Sequence, residues 1–561
     1  MTPPLLPVPD LNDTINRFLA QVRPLLDDTD YAEAETAARA FETDTAPALQ
    51  AALLARAADR PDSSWLADTW LDGYLRIREA LPLASNVAFE LQTQGADLAQ
   101  WCAALAAVCA DWRHGRIDAP LSPQGLPVCM AQWRILAGAA RVPQSVCDDY
   151  RFAEDSRHIG VLHRGWYYRV AALDERGEAL PAAHFRHAFA QIEQHCESNP
   201  YPVAVAAHMG GDDAARLHAA LRRHPDNSAL LDDLNADLFH VSLSDRADTA
   251  DDDLARAAFS PDCAVWTYKP MTFCHNRATQ RLFWHCEHTW EDGGALKGII
   301  ARAAAKLPET NTETAFQAAA PVRRSWQLSA AQERDWQTWQ QRYAERAAHM
   351  RVCSTLIELD NERIPARTSR DALMQFALQY AQLAAYGRVR NTYEAVDASH
   401  FLHGRTECVR PVSEPSLALV RALADGSAAG DALTAALAEH KARVKTAKQG
   451  LGANRHLLGL HAEARAAGAD TAWFDGAAYR LFCNDFLSTS TLGDDALIRN
   501  FAFAPTSAGG LGVNYTLTAR GWLFTVSHHA AQAEDVARFV VALREGAVKL
   551  ADLAAEYAAA L

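Results

Sequence analysis

At 561 residues, with 49% apolar and 22% charged side chains, the chain has ordinary globular composition but exceeds what one hydrophobic core organises, so two or three domains are expected. Its surplus of 15 negative charges argues against a nucleic-acid partner and an anionic membrane surface, and an anionic ligand would need a local basic patch. Eleven cysteines without a CxxC pair speak against structural zinc and a disulfide framework, and the opening MTPPLLPVPDLND has no secretory character. With no apolar run near the ~20 residues of a membrane span, a cytoplasmic protein is expected.

The first ~110 residues read as helices. Leu11-Asn12-Asp13-Thr14 opens a periodic run through Ile15, Phe18, Leu19, Val22 and Leu25, with Asp13 or Thr14 placed to cap it. Ala-rich stretches at 31–58 and 95–113 follow, and alanine costs a helix no side-chain entropy. After Tyr150 the pattern changes to short β-like runs, 158–162 and 166–170, joined by Arg164-Gly165 as a hairpin. Strands are expected at 202–206 and 238–243, with helices at 182–197 and 212–223. A second hairpin, 266–273 with 282–287, ends at His288. The polar stretch 309–335 reads as a linker, with Pro321-Val322-Arg323 as a candidate strand start. Helices at 330–350, 370–386 and 430–467 precede strands at 482–489, 496–503, 512–517 and 522–527, and a final helix spans 534–555. Interleaved strands and helices in both halves predict an α/β fold.

Two segments carry chemistry. In Trp284-His285-Cys286-Glu287-His288-Thr289-Trp290-Glu291-Asp292-Gly293, a histidine at a strand end with a carboxylate four residues on can act as an oriented general base. The same residues also permit a metal site on His285, Cys286 and His288, or a purely structural histidine pair. In Leu487-Ser488-Thr489-Ser490, three hydroxyls at a strand end can donate to an oxyanion or a polar substrate, or form a solvated turn.

These motifs stand in the order of the choline/carnitine O-acyltransferase family, which the chain resembles nearly end to end. Leu6-Pro7-Val8-Pro9-Asp10-Leu11 is similar to the family's opening signature, Leu81-Pro82-Leu83-Ala84-Ser85-Asn86 to its LPVxSN element, and Leu126 to Trp133 to its PLCMxQY element. Cys286 to Gly293 matches C-E-H-x-x-x-D-G. Thr392-Tyr393-Glu394, Gly404 to Arg410, Arg455 to Leu460, Leu487 to Ser490 and Gly512 to Tyr515 complete the series.

The resemblance implies two chloramphenicol-acetyltransferase-like α/β domains with a tunnel at their interface. The parts would be an N-terminal helical segment (1–90), a domain carrying the base (91–325) and a domain carrying acceptor and coenzyme A contacts (326–561). His288 would be the base, Asp292 would hold the local backbone through an ion pair, and Ser490 would stabilise the oxyanion, without an acyl-enzyme. Arg455, Thr406 and Tyr393 resemble the carnitine-type acceptor site, Ser488 and Thr489 adjoin it, and Phe503 would flank the trimethylammonium group. Phe501 falls where short-chain enzymes carry a bulky residue. Arg363, Arg367 and Asp371 would meet coenzyme A. The glycine-rich HGGG-type loop is replaced by Ser244 to Asp253. A monomer is expected, without a resident cofactor or metal. Coenzyme A or acyl-CoA would be the co-substrate and a small quaternary-ammonium alcohol the acceptor. The Ala- and Arg-rich composition points to a bacterial source.

Overall fold

The structure, a computed structural model, describes residues 2–122, 125–311, 319–427, 429–532 and 534–559. Its strands, in chain order, are β1 Val87–Leu91, β2 Ala139–Val142, β3 Asp149–Phe152, β4 His158–His163, β5 Trp166–Ala171, β6 His240–Ser244, β7 Thr272–Asn276 and β8 Arg281–Cys286. There follow β9 Val322–Arg324, β10 Met350–Glu358, β11 Thr392–Asp397, β12 Thr406–Val409, β13 Leu487–Ser490, β14 Ile498–Phe503, β15 Leu511–Thr518 and β16 Gly521–His529.

They form two large sheets flanked by helices, a mixed α/β architecture. The first runs β14-β1-β8-β7-β6-β4-β5-β9 and the second β10-β16-β15-β13-β11-β12, while β2 and β3 make a separate ribbon. One strand changes sides. β13 and β15 lie next to each other in the second sheet, yet the intervening β14 pairs antiparallel with β1 in the first, Phe501 opposite Phe89. Asn514 Oδ1 on β15 accepts from the Phe501 backbone N–H at 3.0 Å, so the crossing strand stays tied to the sheet it left. Gly512 makes room for it, since a side-chain carbon there would meet the Phe503 carbonyl oxygen at 2.9 Å.

The N-terminal helices pack on the C-terminal half. Ile15, Phe18, Leu49, Leu53 and Trp65 share one apolar cluster with Leu457, Leu460 and Phe482. Thr14 is buried there and bonds His456 Nδ1 at 2.7 Å, while the helix Leu11–Val22 is capped by Asp10, ahead of both expected caps, Asp13 and Thr14.

Other differences have local causes. The run 31–58 is two helices, Asp28–Asp44 and Ala46–Ala58, with Pro47 opening the second because its missing N–H costs nothing there. Residues 202–206, expected as a strand, belong to a buried 3-10 turn, Val203–Ala207. A short wholly apolar run has no periodicity to separate the two, and neither large sheet takes it up. The 430–467 helix breaks into Gly430–Lys448 and Ala453–Ala467 at Gly450, whose φ of +70° puts it in the left-handed region, where glycine pays no steric cost. Residues 477–483, partly assigned to a strand, are helical. Within 309–335, Val322–Arg324 pairs with β5, and the Thr-Asn-Thr-Glu-Thr run lies partly outside the described residues.

Candidate active site

His288 stands two residues beyond β8, an interior strand of the first sheet, and its ring is partly exposed. Its Nδ1 lies 2.5 Å from the Glu291 carbonyl oxygen. A carbonyl can only accept, so Nδ1 carries the hydrogen and Nε2 is left as the basic nitrogen. Burial lowers the imidazole pKa; Asp292 opposes the shift and Arg405 adds to it. A ring neutral at pH 7 is what a general base needs.

The loop behind the ring is braced by buried charge. Asp292 takes Arg405 through both oxygens, at 2.7 and 3.2 Å, and Arg405 also donates to the Thr289 carbonyl at 2.8 Å. Burial alone would push the Asp292 carboxyl up, but Arg405 more than offsets it and holds it below the usual range. Gln132 closes the cage. It accepts from the Asp292 N–H at 2.7 Å and donates to the Gly404 carbonyl at 3.2 Å, joining the His288 loop to the entry of β12. Glu291 differs from its neighbours. Its carboxyl is fully buried and accepts from the Cys286 thiol at 3.3 Å. Burial, reinforced by Glu287, pushes its pKa well above the ordinary carboxylate range.

Arg455 begins a second constellation, in the first turn of Ala453–Ala467 and 9% exposed. It donates to Tyr393 Oη at 2.8 Å, to Thr406 Oγ1 at 3.2 Å and to the Thr406 carbonyl at 2.9 Å. Among the described residues no carboxylate oxygen comes within ion-pair distance of its guanidinium. Aromatic rings join the two sets: Trp70 lies 4.4 Å from Arg455 and 5.4 Å from Arg405, and Tyr74 lies 5.9 Å from both Arg405 and the His288 ring. The motifs that quoted His288, Asp292, Tyr393, Thr406 and Arg455 are thus gathered in one place, although 167 positions separate His288 from Arg455 (455 − 288).

The Ser488-Thr489-Ser490 run is split by the pleat of β13. Thr489 faces the interior, where its hydroxyl donates to the Tyr393 carbonyl at 2.6 Å, contacts Glu394 and accepts from Gln375 at 2.8 Å. That hydroxyl is committed to a buried network; Ser488 and Ser490 share the opposite face. The exit of β13 meets the His288 loop, for Lys297 holds the Leu492 carbonyl at 2.6 Å and a side-chain carbon at Gly293 would touch Leu492 at 3.0 Å. Phe501 is buried against Phe89, ring centroids 5.2 Å apart, and Phe503 is half-buried beside it at 6.1 Å.

A profile of the family described as "Choline/Carnitine o-acyltransferase" matches residues 6–545. The chain belongs to the choline/carnitine O-acyltransferase family. It is an acyltransferase. Among similar curated proteins, the human muscle carnitine O-palmitoyltransferase 1 is 26% identical over 98% of this chain and 77% of its own. Bovine mitochondrial carnitine O-palmitoyltransferase 2 is 25% identical over 92% and 86% respectively. A putative mitochondrial carnitine O-acetyltransferase from Saccharomyces cerevisiae is 25% identical over 91% and 88%. Among solved structures, the TRI3 trichothecene 15-O-acetyltransferase from Fusarium sporotrichioides overlaps 86% of this chain and 94% of its own at 10% identity, with a TM-score of 0.41.

Of the residues the resemblance offered to coenzyme A, Arg367 and Asp371 line a cleft of about 460 Å³. Asp371 accepts from Tyr515 at 2.6 Å and pairs with His440 at 2.9 Å. Arg363 does not line this cleft and reaches Asp552 on the C-terminal helix at 3.2 Å. The cause is Arg370, whose guanidinium donates to four carbonyls of the 361–368 loop and fixes its path.

The metal alternative loses a ligand. His285 is engaged at both nitrogens, Nε2 by Asn86 at 2.9 Å and Nδ1 by the Ala257 carbonyl at 2.8 Å. Sequence reasoning passed over Trp70, Tyr74 and the pairing of Arg405 with Asp292. Arg405 stood inside a quoted motif and was readable; nothing in the spacing of Trp70 and Tyr74 marked them. Among the described residues no helix is long and apolar enough to cross a membrane.

Proposed function

We propose that this protein moves a short acyl group, acetyl first, reversibly between coenzyme A and the hydroxyl of carnitine or a similar zwitterion. The observation that carries the acceptor class is Arg455: it is buried and bonded to the neutral hydroxyls of Tyr393 and Thr406, and among the described residues no carboxylate lies within ion-pair distance of its guanidinium, since Glu407 meets only its backbone N–H; such a cation is suited to a small anion. In the reaction, His288 Nε2 takes the hydroxyl proton as the oxygen attacks the thioester carbonyl. Ser490 donates to the resulting oxyanion, collapse breaks the C–S bond, and the imidazolium returns the proton to the departing thiolate. Asp292 with Arg405 positions the loop without touching the reacting atoms. Phe503 and Trp70 give the trimethylammonium aromatic faces.

Phe501 supports the short acyl group. Filling the space against Phe89, it leaves a long chain no path along that face of β14. The eleven free cysteines support a reducing, cytoplasmic setting.

A thiol-release assay with acetyl-, octanoyl- and palmitoyl-CoA against carnitine and choline, run on wild type and His288→Ala, tests the reading. The expected outcome is greatest kcat/KM for acetyl-CoA with carnitine, and a loss of about 10²- to 10⁴-fold in the variant, the usual share of general acid–base catalysis. Activity retained without the imidazole would reject the mechanism, and preference for palmitoyl-CoA would reject the role of Phe501.

A further inference from the structure

Arg141 has no role in the reaction outlined above, yet it is wholly buried among the elements that surround the site. It stands on β2, in the small ribbon outside both large sheets. A guanidinium is a rigid planar fork of N–H donors, and five acceptors surround this one. Nε donates to Asp148 Oδ2 at 2.7 Å, Nη1 to Thr289 Oγ1 at 3.2 Å, and Nη2 to the Leu75 and Ile77 carbonyls at 3.3 and 3.1 Å. Glu287 Oε1, 3.6 Å from Nη1, completes the shell.

These partners belong to two separate parts of the site. Thr289 follows His288 in the chain, and its hydroxyl, accepting from Arg141, donates on to Glu287, which precedes His288. Glu287 Oε2 also accepts from the Thr289 N–H at 3.3 Å. The imidazole is therefore flanked on both sides by groups locked to one cation. Burial pushes the Glu287 carboxyl up, and Arg141 is the largest influence opposing it. Leu75, the other partner, closes the helix Ala67–Leu75, whose Trp70 lies 4.4 Å from Arg455 and whose Tyr74 ring lies 5.9 Å from that of His288. Asp148 reinforces this second arm. Its backbone N–H bonds the same Leu75 carbonyl at 2.9 Å, and its other oxygen meets Arg78 at 2.9 Å.

We propose that Arg141 is a positioning residue for acyl transfer: one buried guanidinium holds the His288 loop and the end of the Trp70–Tyr74 helix in a single register, so that the base faces the acceptor. The proposal rests on the acyltransfer reading above and deepens it. Arg141 does not line the cleft of Arg367 and Asp371, so its effect falls on turnover and on the acceptor, and the donor is spared. Lysine cannot replace it, since one ammonium nitrogen cannot reach Asp148, Thr289 and two carbonyls at once.

The test sets Arg141→Lys beside Thr289→Val, a near-isosteric change that cuts the arm to the His288 loop and leaves Leu75, Ile77 and Asp148 bonded. The double variant completes the set, with carnitine and acetyl-CoA varied in turn. In either single variant kcat should fall about tenfold or more, the scale on which a small misplacement of a reacting group is felt. The carnitine KM should rise at least about threefold in Arg141→Lys, where the helix end is also released, and stay within about twofold in Thr289→Val. The acetyl-CoA KM should hold in both. Because both changes break the same Arg141–Thr289 contact, the double variant should lose little more kcat than Arg141→Lys alone. A Thr289→Val kcat within about twofold of wild type, or losses that multiply in the double variant, would overturn the positioning role and leave the activity standing. Should Arg141→Lys fail to fold, the Thr289→Val kcat decides alone. No transfer to carnitine or choline by wild type would overturn the acyltransfer reading, and this proposal with it.

Discussion

Among the described residues neither Arg455 nor Lys445 has a carboxylate within ion-pair distance, but one is buried under Trp70, bonded to Tyr393 and Thr406 with Glu407 nearby, while the other stands on an exposed helix face. A buried guanidinium held by neutral hydroxyls has already lost its water, so a carboxylate arriving there meets an oriented, weakly screened charge. An exposed ammonium keeps its hydration and acts through salt-screened attraction. On the proposed reading, the Arg455 side is therefore suited to discrimination between small molecules, whereas the exposed lysine attracts anions only through screened charge. Between them, the Asp292–Arg405 pair belongs to the buried regime, where one broken partner leaves the other stranded.

The sharpest way to break this contrast is Arg405→Leu. It leaves Asp292 buried without its cation and releases the Thr289 carbonyl, so a stability loss of about 3–5 kcal/mol is expected, with kcat falling with it. Denaturant unfolding with a parallel assay measures both, and a stability loss under 1 kcal/mol would mean that Asp292 finds water instead.

Arg455→Asn comes next. The carnitine KM should rise more than roughly tenfold while choline, which lacks the carboxylate, is spared. If kcat/KM for the two acceptors keeps its wild-type ratio, the acceptor assignment fails.

The smallest expected effect is on pH. Because burial lowers the His288 pKa below its ordinary 6.5, the acid limb of kcat/KM should be centred below pH 6.5, with activity lost as pH falls through the lowered folded value. An acid limb centred at pH 7 or above in kcat/KM would show an imidazole that water reaches freely.

Much of the site was legible because the chemistry lies in short contiguous strings. His288 with Asp292, Thr406 with its neighbour Arg405, and Arg455 each carry their context within a few residues. Other features were closed to sequence reasoning. Thr489 is indistinguishable in the string from the serines flanking it, and only the pleat of β13 turns its hydroxyl inward to Glu394 and Gln375. The 202–206 run is as good a strand as β6 by composition, and the missing ingredient is a neighbour to pair with.

By itself, the sequence determined the α/β alternation, the family and the residues able to serve as base, hydroxyl donors and acceptor cation, since periodicity and side-chain chemistry are local properties. Only the tertiary structure decided which of them meet. It carried β14 across to β1, brought Trp70 and Tyr74 from the N-terminal helices between His288 and Arg455, and drew Arg363 off to Asp552. Those outcomes depend on contacts between residues hundreds of positions apart, whose free energy comes from burial and partner choice in the folded chain and has no counterpart in any stretch of it read alone.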